Sequence, residues 1–169
     1  AAALVADGPA TIRLRIEAAE TPRRVENLIL DLPGRSSEWV VLSAHIDGHH
    51  LAESAIDNAT GLAATLSVAE AMAPQMARMK RGLRIALFTV EEWALAGSAN
   101  YVGGLSDAER SAIKLNVNLD SIAGSAHVTA LTSGLEKLEQ WLLDRAEAHG
   151  HAIGVHRPLM ANSDHYNFA

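Results

Sequence analysis

Apolar and polar positions alternate or cluster along most of the chain, and the period changes from segment to segment. Thr11-Ile12-Arg13-Leu14-Arg15-Ile16-Glu17 alternates strictly, the pattern of an edge or half-exposed strand. Val25 to Leu30 predicts a second strand, closed by Pro33-Gly34. Trp39-Val40-Val41-Leu42-Ser43-Ala44 is apolar almost throughout, as expected of a strand covered on both faces. From Asn58 to Ala73 the period lengthens. Leu62, Leu66, Ala69 and Met72 fall on one face of a helix that Pro74 is expected to end. Leu83 to Val90 predicts another buried strand, a helix comes next near Gly97 to Val102, and Lys114 to Leu119 predicts a further core strand. Leu135 to His149 predicts a helix with Gly150 at its C-terminal cap, then a short strand at Ile153 to Val155 and a loop. Strands alternating with helices predict an α/β fold: a three-layer αβα domain with a mixed, mainly parallel central sheet. With no repeat and no linker, the 169 residues are read as one domain.

Composition narrows the chemistry. Lys and Arg number 14 against 20 Asp and Glu, a net charge of −6, which argues against nucleic acid or an anionic membrane surface as the main partner. Aromatic residues are 4%, too few for base-stacking platforms. No apolar run approaches the roughly 18 residues of a membrane span. The opening Ala1-Ala2-Ala3-Leu4-Val5-Ala6-Asp7 lacks the basic and apolar regions of a signal peptide. Cysteine is absent, which removes disulfides, thiolate metal sites and cysteine nucleophiles. A transition metal here would have to use imidazole and oxygen ligands, and the chain holds 8 His beside its carboxylates.

The chemical signal lies just past the end of each apolar strand. Trp39 to Ala44 leads into His45-Ile46-Asp47, Leu83 to Val90 into Glu91-Glu92, and Lys114 to Leu119 into Asp120. The carboxyl edge of an open α/β sheet is where such folds place ligands. Asp57 stands just before a helix and could approach the same crevice, although an Asp there also serves as a cap. On an extended segment His45 and Asp47 face the same side, so Asp47 could accept the second N–H of a metal-bound imidazole. Of the adjacent Glu91 and Glu92, one could bind a metal while the other moves a proton.

Five separated motifs resemble the co-catalytic zinc aminopeptidases, a family that also holds glutamate carboxypeptidases and glutaminyl cyclases. They are Ser43-Ala44-His45-Ile46-Asp47-Gly48, Ala55-Ile56-Asp57-Asn58-Ala59-Thr60-Gly61, the run from Thr89 to Tyr101 around Glu91-Glu92, Asn118-Leu119-Asp120, and Ser163-Asp164-His165-Tyr166-Asn167-Phe168. Together they cover most of the chain, roughly Val25 to Phe168. The resemblance implies two zinc ions, one held by His45 and Asp120, the other by Glu92 and His165, with Asp57 bridging both. It implies that Asp47 orients His45 and that Glu91 is the general base for attack of water on a peptide carbonyl. It implies a peptide substrate with a free N-terminus and an often cis Asp57–Asn58 bond. Secretion or a periplasmic location is common in the family; the residues themselves say nothing of compartment or oligomeric state.

Alternatives within the resemblance are a glutaminyl cyclase-like enzyme, a carboxypeptidase-like one, and a binding module without catalysis. The cyclase branch usually carries another residue after the bridging Asp and one zinc, whereas Asp57-Asn58 keeps the peptidase form. All five ligands and the base are present, which disfavours the binding module. Two departures stand out. Ala94 occupies a position that is commonly Gly. The chain also ends four residues after His165, where the family adds a strand and a helix. A fragment is therefore expected, with weak or no peptidase activity alone, a looser Glu92–His165 half and association through an open sheet edge. His49 and His50 are read as solvated loop residues, His127, His149, His151 and His156 as structural, and Trp93 as a packing residue.

Overall fold

The computed structural model describes residue 11 and residues 13–19 and 21–169. Residues 1–7, where a signal peptide would begin, and Ile12 lie outside that range. The strand expected at Thr11 to Glu17 is not formed by its described residues; Leu14 and Ile16 are exposed and join no sheet.

Regular structure begins with β1 (Leu28–Leu32) and β2 (Trp39–His45). An irregular turn over Ala55–Thr60 leads into α1 (Gly61–Met72) and a 3-10 turn at Ala73–Arg78, then β3 (Gly82–Phe88). Next come α2 (Ala96–Gly104), α3 (Asp107–Ala112) and β4 (Ile113–Asn118). The remainder is β5 (Val128–Leu131), α4 (Glu136–Ala148), β6 (Ile153–His156) and a terminal 3-10 turn, Asp164–Phe168.

The main sheet has the order β1-β3-β2-β4. β2 runs parallel to both β3 and β4, and β1 is an antiparallel edge, so the sheet is mixed and mainly parallel. Period-two alternation sends side chains to both faces. Leu42, Ala44, Leu83, Ile85 and Leu87 pack with Ala69 and Met76 on the α1 side. Val41, Ala86 and Phe88 point the other way, against Tyr101 of α2 and Phe168 of the terminal turn. Helical elements on both faces complete the three layers.

Several boundaries differ from the expected ones for local reasons. β1 lies at Leu28–Leu32 rather than Val25 to Leu30, because its register with β3 pairs Leu28 with Leu87 and Leu32 with Leu83. Arg84 of β3 holds Asp31 of β1 through two hydrogen bonds of 2.6 Å, a bidentate pair that fixes that register. Pro74 does not stop the chain's turning; it sits in the first turn of the 3-10 segment after α1, where its missing N–H costs nothing. The inward stripe of α1 uses Thr65, which is buried, where Leu66 was expected; Leu66 faces solvent. α3 was not expected, although Ser106 and Glu109 form a capping box, a signal visible in Ser106-Asp107-Ala108-Glu109. β5 is too short to show a period and exists by pairing in parallel with β6 in a separate two-stranded sheet. Among the described residues no helix is long and apolar enough to cross a membrane.

Candidate metal centre at the carboxyl edge of the sheet

His45 ends β2 and is 1% exposed. Its Nδ1 lies 3.1 Å from the carbonyl oxygen of Asp47. A carbonyl only accepts, so Nδ1 carries a proton and Nε2 is the nitrogen turned toward the cleft. Three carboxylates meet Nε2 there. Asp57 Oδ1 is 3.0 Å away, Asp120 Oδ1 3.4 Å and Glu91 Oε2 3.9 Å. Donor atoms of His45, Glu91 and Asp120 all lie within 4.8 Å of one another.

Each carboxylate is delivered by a different device. Asp57 rides on the irregular turn before α1, and its peptide bond to Asn58 is cis. Asn58, buried, then turns back. Its Nδ2 donates to the carbonyl of Leu119 at 2.9 Å, and its Oδ1 accepts from the N–H groups of Gly61 at 2.9 Å and Ser121 at 3.2 Å. One amide thus ties the Asp57 turn to the end of β4 that carries Asp120. Only glycine fits at position 61: a Cβ there would lie 2.1 Å from the Leu119 carbonyl oxygen.

Glu91 and Glu92 come directly after Val90, whose φ of 56° is rare for a β-branched residue. Such a departure is sustained where the surroundings over-determine it. Here the Asp47 carboxylate accepts from the N–H of Glu91 at 3.1 Å and of Glu92 at 3.3 Å. Asp47 therefore serves His45 through its carbonyl and the glutamate pair through its side chain, which stays 3.6 Å from Nδ1. Ala94 takes φ of 69°, a left-handed geometry that glycine adopts without strain.

Charge is concentrated and partly desolvated. Burial pulls the His45 imidazole down, but the Asp120 hydrogen bond and the charges of Asp120, Glu91 and Asp57 outweigh it and push the pKa up to about 9. Burial pushes the Glu91 carboxyl up to about 7, against the charge of His45 and with the help of Asp120, Asp164 and Glu92. Burial would raise Asp120 as well, yet hydrogen bonds from His45 and Ser163 hold it below the usual carboxylate range. The cluster attracts positive charge, and a proton on His45 meets part of that demand.

Glu92 and His165 lie outside the tight group. His165 sits in the terminal turn, and burial holds its imidazole below the ordinary value against the pull of Asp120. Its Nε2 is buried with no hydrogen-bond partner, an orphan of the kind a bound ion would satisfy. The turn is firmly held. Asp164 is fully buried and accepts from Ser98, and Phe168 packs on Phe88 and Tyr101.

A cleft of about 370 Å³ opens beside His45, lined by Asp47, Ser54, Asn58, Ala59 and Leu62, and by His49 and His50. The last two rings stack 5.0 Å apart, so these loop residues are part of the cleft wall. Trp93 is 64% exposed and does not pack as expected. Asn58 and Ser163 organise the site, although the sequence motifs that contain them suggest no role for either; the available signal was a polar side chain flanking a ligand in both motifs.

Residues 27–169 match the model of peptidase family M28. The chain belongs to peptidase family M28. It is 30% identical over 134 residues to leucine aminopeptidase 2 of Trichophyton equinum, a stretch that is 79% of this chain and 27% of that protein. To the probable leucine aminopeptidase 2 of Aspergillus fumigatus it is 29% identical over 132 residues, 78% of this chain and 26% of the other. This M28 chain thus spans about a quarter of the length of these relatives. Its structure resembles a zinc aminopeptidase from Bacillus subtilis with a TM-score of 0.71 and 25% identity, over 84% of this chain and 36% of that one. A glutaminyl cyclase from an Acidobacteriales bacterium shares the fold, with a TM-score of 0.71 at 19% identity, over 84% of this chain and 54% of that one.

Proposed function

We propose that this M28 chain carries the metal site and the general base of a zinc-dependent aminopeptidase. The observation that carries the reading is the convergence of Asp57, Glu91 and Asp120 within 3.0–3.9 Å of one buried imidazole nitrogen. The donor set is imidazole and carboxylate with no thiolate, which suits a zinc hydrolase site. The orphaned Nε2 of His165 adds a donor with no other use. His45 and Asp120 would hold one ion, Glu92 and His165 a second, and Asp57 would serve both.

When bound, zinc acidifies water and polarises a carbonyl. Glu91 takes the proton of the attacking water at its carboxylate and returns it to the leaving amine. Burial favours the protonated form of its carboxyl, the direction a proton acceptor needs. Asp47 holds the Glu91–Glu92 turn by their N–H groups and fixes the His45 tautomer through its carbonyl. A peptide with a free N-terminus is the substrate we infer from the family and from relatives named leucine aminopeptidase.

Metal analysis and assay test this together. The chain is expected to take up as many as two zinc ions, and Asp57→Ala to lose most of them; full zinc content in that variant overturns the ligand assignment. Aminoacyl p-nitroanilides should be cleaved in preference to N-blocked peptides. Turnover of N-terminal Gln peptides to a cyclic product would instead support a glutaminyl cyclase.

A further inference from the structure

We propose that Ser163 is a positioning residue: it fixes which oxygen of Asp120 is offered to a cation and ties that carboxylate to the segment carrying His165. This role rests on the reading of the cluster as a metal site.

A continuous relay of hydrogen bonds runs across the sheet face beneath the terminal turn. Asn116 Nδ2 donates to Ser43 Oγ at 3.0 Å, and Ser43 Oγ donates to Asn118 Oδ1 at 2.8 Å. Asn118 Nδ2 donates to Ser163 Oγ at 2.7 Å, and Ser163 Oγ donates to Asp120 Oδ2 at 2.6 Å. The directions are forced. An amide nitrogen only donates, so Ser163 Oγ is already an acceptor and its proton goes to Asp120. Ser43 and Ser163 are both buried, so water does not compete for these bonds.

An aspartate's terminal torsion is broad, and either oxygen could face a ligand. Here Oδ2 is taken by the charge-assisted bond from Ser163. Oδ1 is left facing His45 Nε2, with the Ser121 hydroxyl at 3.1 Å. Ser163 also begins the last turn: its carbonyl accepts from the N–H of Tyr166 at 3.1 Å, which encloses His165. One residue therefore holds the Asp120 ligand by its side chain and the His165 segment by its backbone. The two halves of the site share it.

Zinc affinity of the whole chain, read by competition with a chelator, tests the proposal alongside the thermal melt of the metal-free protein. Ser163→Ala removes the hydroxyl and keeps the backbone bond to Tyr166, so it should weaken zinc binding by about 10–100-fold at the position served by Asp120, the usual cost of losing a group that supports a ligand. Ser163→Thr, which keeps the hydroxyl, should recover most of it. Thr65→Val removes another buried hydroxyl, remote from the relay and without a partner, and should leave affinity unchanged. If Ser163→Ala does not fold, Ser43→Ala breaks the same relay two bonds earlier and should lose affinity to a smaller degree. Wild-type affinity in Ser163→Ala, or in Ser43→Ala read in its place, overturns the proposal; so does an equal loss in Thr65→Val. A wild-type chain that takes up no zinc overturns the metal-site reading and the role of Ser163 with it.

Discussion

The four-stranded sheet and the unit formed by β5, α4 and β6 differ in how they are held. The sheet buries Val41, Ile85, Ala86 and Phe88 almost completely between helical elements on its two faces. α4 has no buried residue, and Trp141 on it is 54% exposed. An apolar groove of about 630 Å³ runs along that unit, lined by Val128, Trp141, Leu142 and Ile153. The candidate ligands obey this division. His45, Glu91, Glu92 and Asp120 lie at or just beyond carboxyl ends of main-sheet strands, and Asp57 lies on a turn tied to β4 by Asn58. Only His165 comes after the looser unit, and it arrives in a turn that packs back on the sheet. A catalytic site needs fixed geometry, and dense packing of β-strands supplies it.

The largest effect expected is on chemistry carried by the sheet. In an active form of the enzyme, Glu91→Gln should lower kcat by about 10²–10⁴-fold while retaining zinc, the usual worth of a general base. Near-normal turnover would remove Glu91 from that role. Next in size is the packing itself: Phe88→Ala should cost about 3–5 kcal/mol in a denaturant melt. A cost below that of a surface change would mean that the sheet is no better packed than the outer unit.

Protonation of the site gives a third test. His45 has its folded pKa raised to about 9, above an unfolded value of 6.5. It contributes stability that is fully present below pH 6.5 and lost as pH rises through 9. Glu91, raised to about 7 from 4.5, acts in the same direction: its contribution is present below pH 4.5 and lost as pH rises through 7. The metal-free protein should therefore lose stability steadily from about pH 5 to 9 in thermal melts. Zinc should reverse the trend, because binding displaces these protons and tightens with pH. A flat profile in the metal-free protein would contradict the clustering of charge around His45.

Two smaller effects mark the boundary between the regions. Ala94→Gly should stabilise by about 1 kcal/mol, since it relieves a left-handed alanine at the start of α2. Trp141→Ala should change stability by only about 0.5 kcal/mol. A loss approaching that of Phe88→Ala would show that the outer unit is held as firmly as the sheet.

The sequence alone determined the alternation of elements and the identity of the candidate ligands. Apolar runs mark β2, β3 and β4, and ionisable residues directly after those strands stand out against their neighbours. Fold class came with them, because parallel strands joined by helices have few ways to bury their faces. Features set by a strand's partner were less legible. β5 is formed by pairing with β6, β1 takes its register from Arg84 and β3, and residues 13–17 alternate without joining a sheet.

Within the site, the sequence named His45 and its carboxylates but not how they are held. That Asp47 binds the Glu91–Glu92 backbone, that Asn58 joins two loops, and that Ser163 closes a relay to Asp120 all depend on contacts between residues 43 to 75 positions apart. Hydrogen bonds across such separations leave no period in a sequence. They exist only once the sheet has brought its strand ends together, and burial there both strengthens them and sets the proton affinities of the groups they join.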